Sequence, residues 1–331
     1  MSATVAPDKI LKELADLWVS LGKQGEGDGS AGVLRACSMT LLVLAEEADD
    51  LMSLGETIAA LMPEHPARAI VVRLIGGNER ALTERVYSQC WMPFGQRRQI
   101  CCEQIELMAS DASLEDLPSV VLPLAVPDLP LILWCRTARI LSMPGFYRIS
   151  AMARKVVVDS GQVPDAVAAI LRMAVVGQSN VLLGDLSWTR LTRWREMLSQ
   201  LFENPDYLSH LPKISEVRVT FGPGHEVTAR YMGIWITNSL SDVGVPAHLN
   251  VTSAPDGPSL RVELDGDQVH VELVREEDRL VITVNGLSHC TNLPQPTDYL
   301  LMREELSIVR PDPVFDRTLA SAAAHAYPTE P

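Results

Sequence analysis

Lysine is scarce in this chain, with five among 28 basic residues against 42 acidic ones, and the formal net charge is −14 over 331 residues. That balance argues against a nucleic-acid partner, because phosphate binding needs a basic patch that releases counterions. It argues equally against an anionic membrane surface. One long, largely apolar stretch, "LPSVVLPLAVPDLPLILWC", is interrupted by Asp128 and by Pro118, Pro123, Pro127 and Pro130, so it is too broken to span a bilayer as one helix. No basic segment leads into an apolar one at "MSATVAPDKILKEL", which predicts no signal peptide and a cytoplasmic protein. The six cysteines include no C-x-x-C pair and read as reduced thiols. Cys101 and Cys102, adjacent on an extended segment, would face opposite ways and read as half-buried filler.

What is present is a globular composition, 47% apolar and 21% charged. Residues 8–21 place Ile10, Leu11, Leu14, Leu17, Trp18 and Leu21 at helical spacing, and "GKQGEGDGSAG" then reads as a flexible linker. Buried strands are predicted at "CSMTLLVLA", "ARAIVVRLI", "PLILWC" and "ARKVVVDSG", with helices between them and an antiparallel pair, "ALTERVYSQC" and "QRRQICCEQIELMA", joined at "WMPFG". Continuous Val/Ile/Leu runs separated by helices imply a largely parallel sheet with both faces covered. Residues 163–204 read as helical throughout. A strand, "ISEVRVTFG", a helix, "EVTARYMGIWITNSL", and an antiparallel meander over "SLRVELDGDQVHVELVREEDRLVITVNG" follow. The C-terminal "DYLLMREELSIVRPDPVFDRTLASAA" reads as helical with Asp298 as its N-cap. The expected architecture is α/β (α+β). Residues 1–30 form an amphipathic helix and linker, 31–162 a largely parallel α/β module, 163–315 a helical and antiparallel-meander module, and 316–331 a tail.

The chemistry-bearing motifs are sparse. Seven histidines (65, 210, 225, 248, 270, 289, 325) form no H-E-x-x-H or other i, i+4 pair, and no zinc-spaced cluster accompanies His289–Cys290, so no metal site is expected. His270, on the polar side of a meander strand, reads as solvated. There is no G-x-S-x-G elbow and no Walker lysine. The nearest thing to a cofactor loop is "VRVTFGPGHEVTARYMG", where Gly222 and Gly224 join a strand to a helix as a candidate anion-binding turn. Val227 stands where a third glycine would complete the dinucleotide fingerprint, and no cofactor is expected.

One run stands out: "GDLSWTRLTRWREMLSQLF", residues 184–202, with two tryptophans and three arginines. Asp185 reads as an N-cap. On a helical wheel Trp188, Leu191, Trp194, Met197, Leu198, Leu201 and Phe202 fill one half, while Arg193 is a surface charge. Arg190 and Arg195 fall inside the apolar half. A guanidinium there must be stacked or paired, since an unpaired buried charge costs several kcal/mol. Three partners fit: an internal carboxylate, a partner protein's surface, or a sugar or phosphate ligand.

These residues carry a resemblance. "ELADLW", "RACSMTLLVLA", "HPARAIVV", "VVLPLAVPDLPLILWCR", "KVVVDSG", "GDLSWTRLTRWREMLSQLF" and "LLMREELSIVRPDPVFDRTLASA" occur in consistent order over most of the chain. Together they are similar to the OpcA family, the glucose-6-phosphate dehydrogenase assembly proteins of cyanobacteria and actinobacteria. The resemblance implies a non-enzymatic factor that assembles or allosterically activates that dehydrogenase in the oxidative pentose phosphate pathway. The matching positions Asp185, Trp188, Arg190, Trp194 and Arg195 then become candidates for partner binding or for the interface between modules. Two alternatives stay open. One is a sugar-phosphate or nucleotide-binding enzyme using the Gly222–Gly224 turn and Arg195; the other is a structural subunit in which the Trp/Arg run is packing.

Overall fold

The computed structural model describes residues 6–26, 34–35, 37–91, 100–137 and 139–326, with the side chains of 20–26, 34–35, 87–91 and 100–102 left aside. The glycine-rich linker beyond Glu26, the "WMPFG" turn, the side chains of Cys90, Cys101 and Cys102, and the last five residues therefore lie outside the described parts. The chain divides into two compact units: 1–158 with 179–184 and 298–307, and 159–178 with 185–297 and 308–331.

The first unit opens with α1 (Pro7–Glu26), a turn longer than its apolar spacing predicts. An eight-stranded sheet follows: β1 (Leu34–Arg35), β2 (Met39–Glu46), β3 (Ala67–Leu74), β4 (Leu82–Trp91), β5 (Ile100–Ala109), β6 (Leu131–Cys135), β7 (Lys155–Val158) and β8 (Leu182–Asp185). Helices α2 (Leu51–Leu61), α3 (Leu117–Leu124) and α4 (Phe146–Ser150) intervene, and α10 (Asp298–Ser307) joins from far along the chain. The strand order is β1-β5-β3-β2-β6-β7-β8, with β4 on β5. β2 pairs in parallel with β3 and β6, β3 with β5, and β6 with β7, while β4 runs antiparallel to β5. The path β5-β3-β2-β6-β7-β8 is the 3-2-1-4-5-6 order of a doubly wound dinucleotide fold. Leu41 to Ala45 and Ala69 to Val72 are buried without alternation, as strands covered on both faces must be.

The expected fully helical stretch 163–204 is corrected. "LLGD" forms β8 beside β7, because four apolar or small residues between a "GQSN" turn and a capping aspartate are too short for a helix of their own. Gly184 on that strand is obligatory. A Cβ there would stand 2.3 Å from Glu305 Oε2, which lies 2.7 Å from Lys155 Nζ in a fully buried pair. The Lys155 ammonium also donates to the Glu305 backbone carbonyl, so α10 is tied to the foot of β7. Asp298 stands within α10, not ahead of it as a cap, and its carboxylate is taken by Arg136. Arg303 of α10 reaches Glu64. A second buried pair joins Arg68 and Glu103, with the Trp18 indole donating to Glu103 at 2.6 Å.

The second unit holds α5 (Ala166–Gly177), α6 (Leu186–Thr189), α7 (Thr192–Glu203), α8 (Pro205–Leu208), α9 (Glu226–Asp242) and α11 (Pro313–Ala326). Its six-stranded sheet is built of β9 (Ile214–Phe221), β10 (His248–Ser253), β11 (Leu260–Gly266), β12 (Val269–Glu276), β13 (Arg279–Val284) and β14 (Leu287–Asn292). The order is β10-β9-β11-β12-β13-β14, antiparallel except for β9 and β10, which α9 connects as a parallel crossover. β10 was not foreseen, because "HLNVTS" lies at the sheet edge and carries little apolar signal. β11 and β12 alternate buried and half-buried residues, the pattern of a sheet with one wet face. His270 on that face is bonded through Nδ1 to Asp265 at 2.7 Å. The expected single C-terminal helix is two, α10 and α11. Pro311 and Pro313 interrupt the helical ladder between them, since proline offers no N–H.

Candidate functional site

The Trp/Arg run does not form one continuous helix. Asp185 caps α6 by accepting from the Ser187 N–H at 2.9 Å, α6 ends at Thr189, and α7 restarts at Thr192. The interruption falls at Arg190–Leu191, where Leu191 turns to φ −88° and ψ −5°. Trp188, Leu191, Trp194 and Leu198 are nevertheless buried as the wheel expects, and Arg193 is exposed and paired with Glu196.

Around the cap, two chain segments interlock within the second unit. One is Asp159-Ser160-Gly161, which directly follows β7; the other is Asp185 to Arg190, which directly follows Gly184 of β8. Asp185 Oδ1 accepts the Ser160 and Ser187 N–H groups at 3.1 and 2.9 Å, and Oδ2 accepts the Tyr231 hydroxyl at 3.0 Å. Thr189 Oγ1 donates to the Asp185 carbonyl. The carboxyl is fully buried, and burial pushes its pKa up to about 6. The negative charge of Asp159 adds to the rise, while hydrogen bonds from Ser160 and Ser187 oppose it. Burial and the neighbouring Asp185 hold the Tyr231 phenol well above its ordinary range.

Arg190 grips Asp159 in a two-pronged pair, Nη1 to Oδ1 and Nη2 to Oδ2, both at 2.7 Å. Of the three partners open to this guanidinium, an internal carboxylate is the one it holds. Gly161 completes the lock, because its N–H donates to Ser187 Oγ at 2.9 Å and a Cβ would meet that oxygen at 3.0 Å. Arg195 stacks over the Trp188 ring with its guanidinium carbon 3.7 Å from the centroid, and Nη2 donates to Thr192 Oγ1. Trp188 in turn packs against Phe315 and Tyr231, whose centroids lie 5.6 and 6.3 Å away. Its indole N–H donates to Asp312 Oδ2 at 3.1 Å. The other Asp312 oxygen caps α11 through the N–H groups of Val314 and Phe315.

Asp159, Ser160, Tyr231, Asp312 and Phe315 were not singled out from the sequence. An aspartate at the end of a buried strand in "VVVDSG" and one between prolines in "RPDPVF" were the available signals. Gly222 and Gly224 lie at the β9–α9 turn. The Gly222 N–H already donates to the Ser259 carbonyl, and Glu226 places a carboxylate in the first turn of α9, paired with Arg230. The doubly wound sheet that would seat a dinucleotide is in the other unit.

There, the turn after β2 occupies the place where such a sheet presents glycines and free amides to a pyrophosphate. The last residue of β2, Glu46, and the turn residues Glu47, Ala48, Asp49 and Asp50 do not fit a dinucleotide. Glu46 is held by Arg139 at 2.8 Å, and Arg139 also pairs with Asp111; the Arg139 hydrogen bonds keep the Glu46 carboxyl below its usual range. Asp50 caps α2 by accepting from the Met52 N–H. Among the described residues no group of three or more His, Cys, Asp or Glu is arranged to hold a metal ion, and no helix is long and apolar enough to cross a membrane.

Comparison with known proteins gives two family models in sequence order. Residues 58–175 match the OpcA model described as glucose-6-phosphate dehydrogenase subunit N-terminal domain, and 182–319 the one described as its C-terminal domain. The OpcA protein of Nostoc punctiforme, whose name refers to the OxPP cycle, is 27% identical over 179 residues, 53% of this chain and 38% of that protein. Its counterpart in Synechocystis is 26% identical over 191 residues, 56% of this chain and 39% of that protein. The matched region thus spans well under half the length of these relatives. A solved 3-ketoreductase from Actinomadura kijaniata has a TM-score of 0.47 at 11% identity, covering 87% of this chain and 96% of that one.

Proposed function

The chain belongs to the OpcA family, and from that membership we propose that it is an assembly factor and allosteric activator of glucose-6-phosphate dehydrogenase. In this reading it binds the dehydrogenase as a protein partner and carries out no reaction of its own. Activation is then a coupling free energy: the chain binds one state of the dehydrogenase oligomer better than another and shifts the population toward it.

The observation that carries the non-catalytic half of the reading is the turn after β2. A doubly wound sheet that used a nicotinamide dinucleotide would present glycines ahead of the helix that starts there. This chain presents four carboxylates, one of them locked on Arg139 and another spent as a cap. A turn so loaded with carboxylates disfavours a pyrophosphate, which supports a reading in which the redox chemistry of the pathway belongs to the partner. The Asp159–Arg190 and Asp185–Tyr231 contacts point the same way, because each charged or polar group is satisfied from within.

The test is direct. Purified chain is mixed with the dehydrogenase of the same organism, and the mixture is followed by light scattering on a sizing column and by NADPH formation. The expected outcome is co-elution with raised turnover, and no NADPH formed by the chain alone. Separate elution with unchanged turnover would defeat the reading. The sugar-phosphate alternative predicts instead a rise in melting temperature with a pentose-pathway metabolite or NADPH in the absence of any protein partner.

A further inference from the structure

The tryptophans that mark the family motif are buried, so they cannot themselves meet a partner; what they hold in place can. The segment they hold is Ile308 to Val314, "IVRPDPV", the link between α10 and α11. It is fixed at its centre, where both Asp312 oxygens are used, one by the Trp188 indole and one by the first turn of α11. The Asp316 N–H donates to the Asp312 carbonyl at 2.9 Å, and Phe315 beneath it packs against Trp188 and Tyr231. Pro311 and Pro313 fix two further backbone torsions.

On this clamped segment the outward side chains are apolar or cationic. Val309 is 71% exposed and Val314 46%, and Arg310, Pro311 and Pro313 are exposed between them. Asp312, the adjacent carboxylate, is already committed, and Arg310 makes no ion pair among the described residues. On a chain of net charge −14, an unpaired arginine flanked by exposed valines and prolines runs against the general composition. It has the make-up of a binding hot spot: an apolar anchor, a guanidinium seeking a carboxylate, and a backbone that loses little freedom when covered.

We propose that the Val309–Val314 ridge is the surface by which this chain docks onto its protein partner, an apolar patch of the dehydrogenase that carries a carboxylate for Arg310. This rests on the reading given under Proposed function and assigns its contact surface. The Trp188–Asp312 bond, with Arg195 stacked on Trp188, becomes the device that positions the ridge, and Val309 and Arg310 become the residues that touch.

The experiment measures the affinity of the full chain for purified glucose-6-phosphate dehydrogenase by titration calorimetry. It compares wild type, Val309→Asp, Arg310→Glu and, as a control, Leu287→Asp on the exposed edge strand β14. All three side chains are exposed, so melting temperatures are expected to stay at the wild-type value. Val309→Asp and Arg310→Glu are each expected to weaken binding roughly 30-fold, the hot-spot range, with Leu287→Asp unchanged. The Arg310→Glu loss should shrink as salt is raised. If wild type binds and the two ridge variants bind as tightly, the ridge is wrong while the assembly reading stands. If all variants weaken alike, the contact is not localised there and the ridge is again wrong. If wild type does not bind, the assembly reading itself falls, and the ridge with it.

Discussion

Two clusters in this molecule set an arginine against carboxylates at the ends of sheet strands, and they differ in how far water reaches the carboxylates. In the first unit Arg139 joins Glu46 and Asp111, with side-chain exposures of 38%, 33% and 28%. In the second, Arg190, 27% exposed, closes on Asp159, 9% exposed, whose charge is felt by the fully buried Asp185. The charges are alike, but water reaches every member of the first set and, in the second, chiefly the guanidinium and not the two carboxylates. The half-wet cluster is of little energetic consequence, since pairs of that kind are worth about 0–1 kcal/mol. In the dry one each donor and acceptor is needed, because a buried group without its partner forfeits its full desolvation cost.

That contrast is open to attack. The largest expected effect is at Asp185. Asp185→Ala removes the acceptor of two backbone N–H groups and of the Tyr231 hydroxyl, and should destabilise the chain by about 3–5 kcal/mol in urea unfolding. A loss below about 1 kcal/mol would mean that the dry cluster is no more demanding than the wet one.

Next comes its pH dependence. Burial raises the folded-state pKa of Asp185 from 3.8 to about 6, so its contribution is fully present below the unfolded pKa and is lost as pH rises through the folded one. Between pH 4 and pH 8 wild type should therefore lose stability, on the order of 2–3 kcal/mol, relative to Asp185→Asn, which has no charge to bury. Parallel stability profiles for the two proteins would contradict the shift.

The smallest effect is expected at the wet cluster. Arg139→Ala should cost under about 1 kcal/mol, and less at high salt. It also removes the partner that keeps the Glu46 carboxyl low, a contribution present above the ordinary carboxylate range and lost on acidification. A cost at Arg139 equal to that at Asp185 would erase the distinction.

The same contrast separates what could be read from the sequence from what could not. β2, β3 and β6 were legible because "TLLVLA", "AIVVRL" and "LILWC" are apolar without alternation, and the β11–β13 meander because it alternates. The Asp185 cap and the buried half of the Trp/Arg wheel were legible for the same local reason. β8 was not, since "LLGD" carries too few residues to show a period. The break at Arg190–Leu191 was missed too, because no glycine or proline announces it. The site's other half lay beyond local reasoning. Asp159 meets Arg190 because β7 and β8 are neighbours in the sheet, and Trp188 meets Asp312 across 124 residues of chain. Sequence periodicity sees neither. The segments carrying the family resemblance, "KVVVDSG", "GDLSWTR" and "RPDPVF", turn out to be the three that interlock.

The return of α10 to the first unit has a consequence for biosynthesis. A ribosome that has emitted the first 185 residues has supplied every strand of the doubly wound sheet, yet Glu305, whose carboxylate meets Lys155 and fills the space that a Cβ at Gly184 would take, is still to come. The buried Lys155–Glu305 pair can form only after more than a hundred further residues are made. The last tie of this sheet is thus made by the finished polypeptide and not in the order in which its parts leave the exit tunnel.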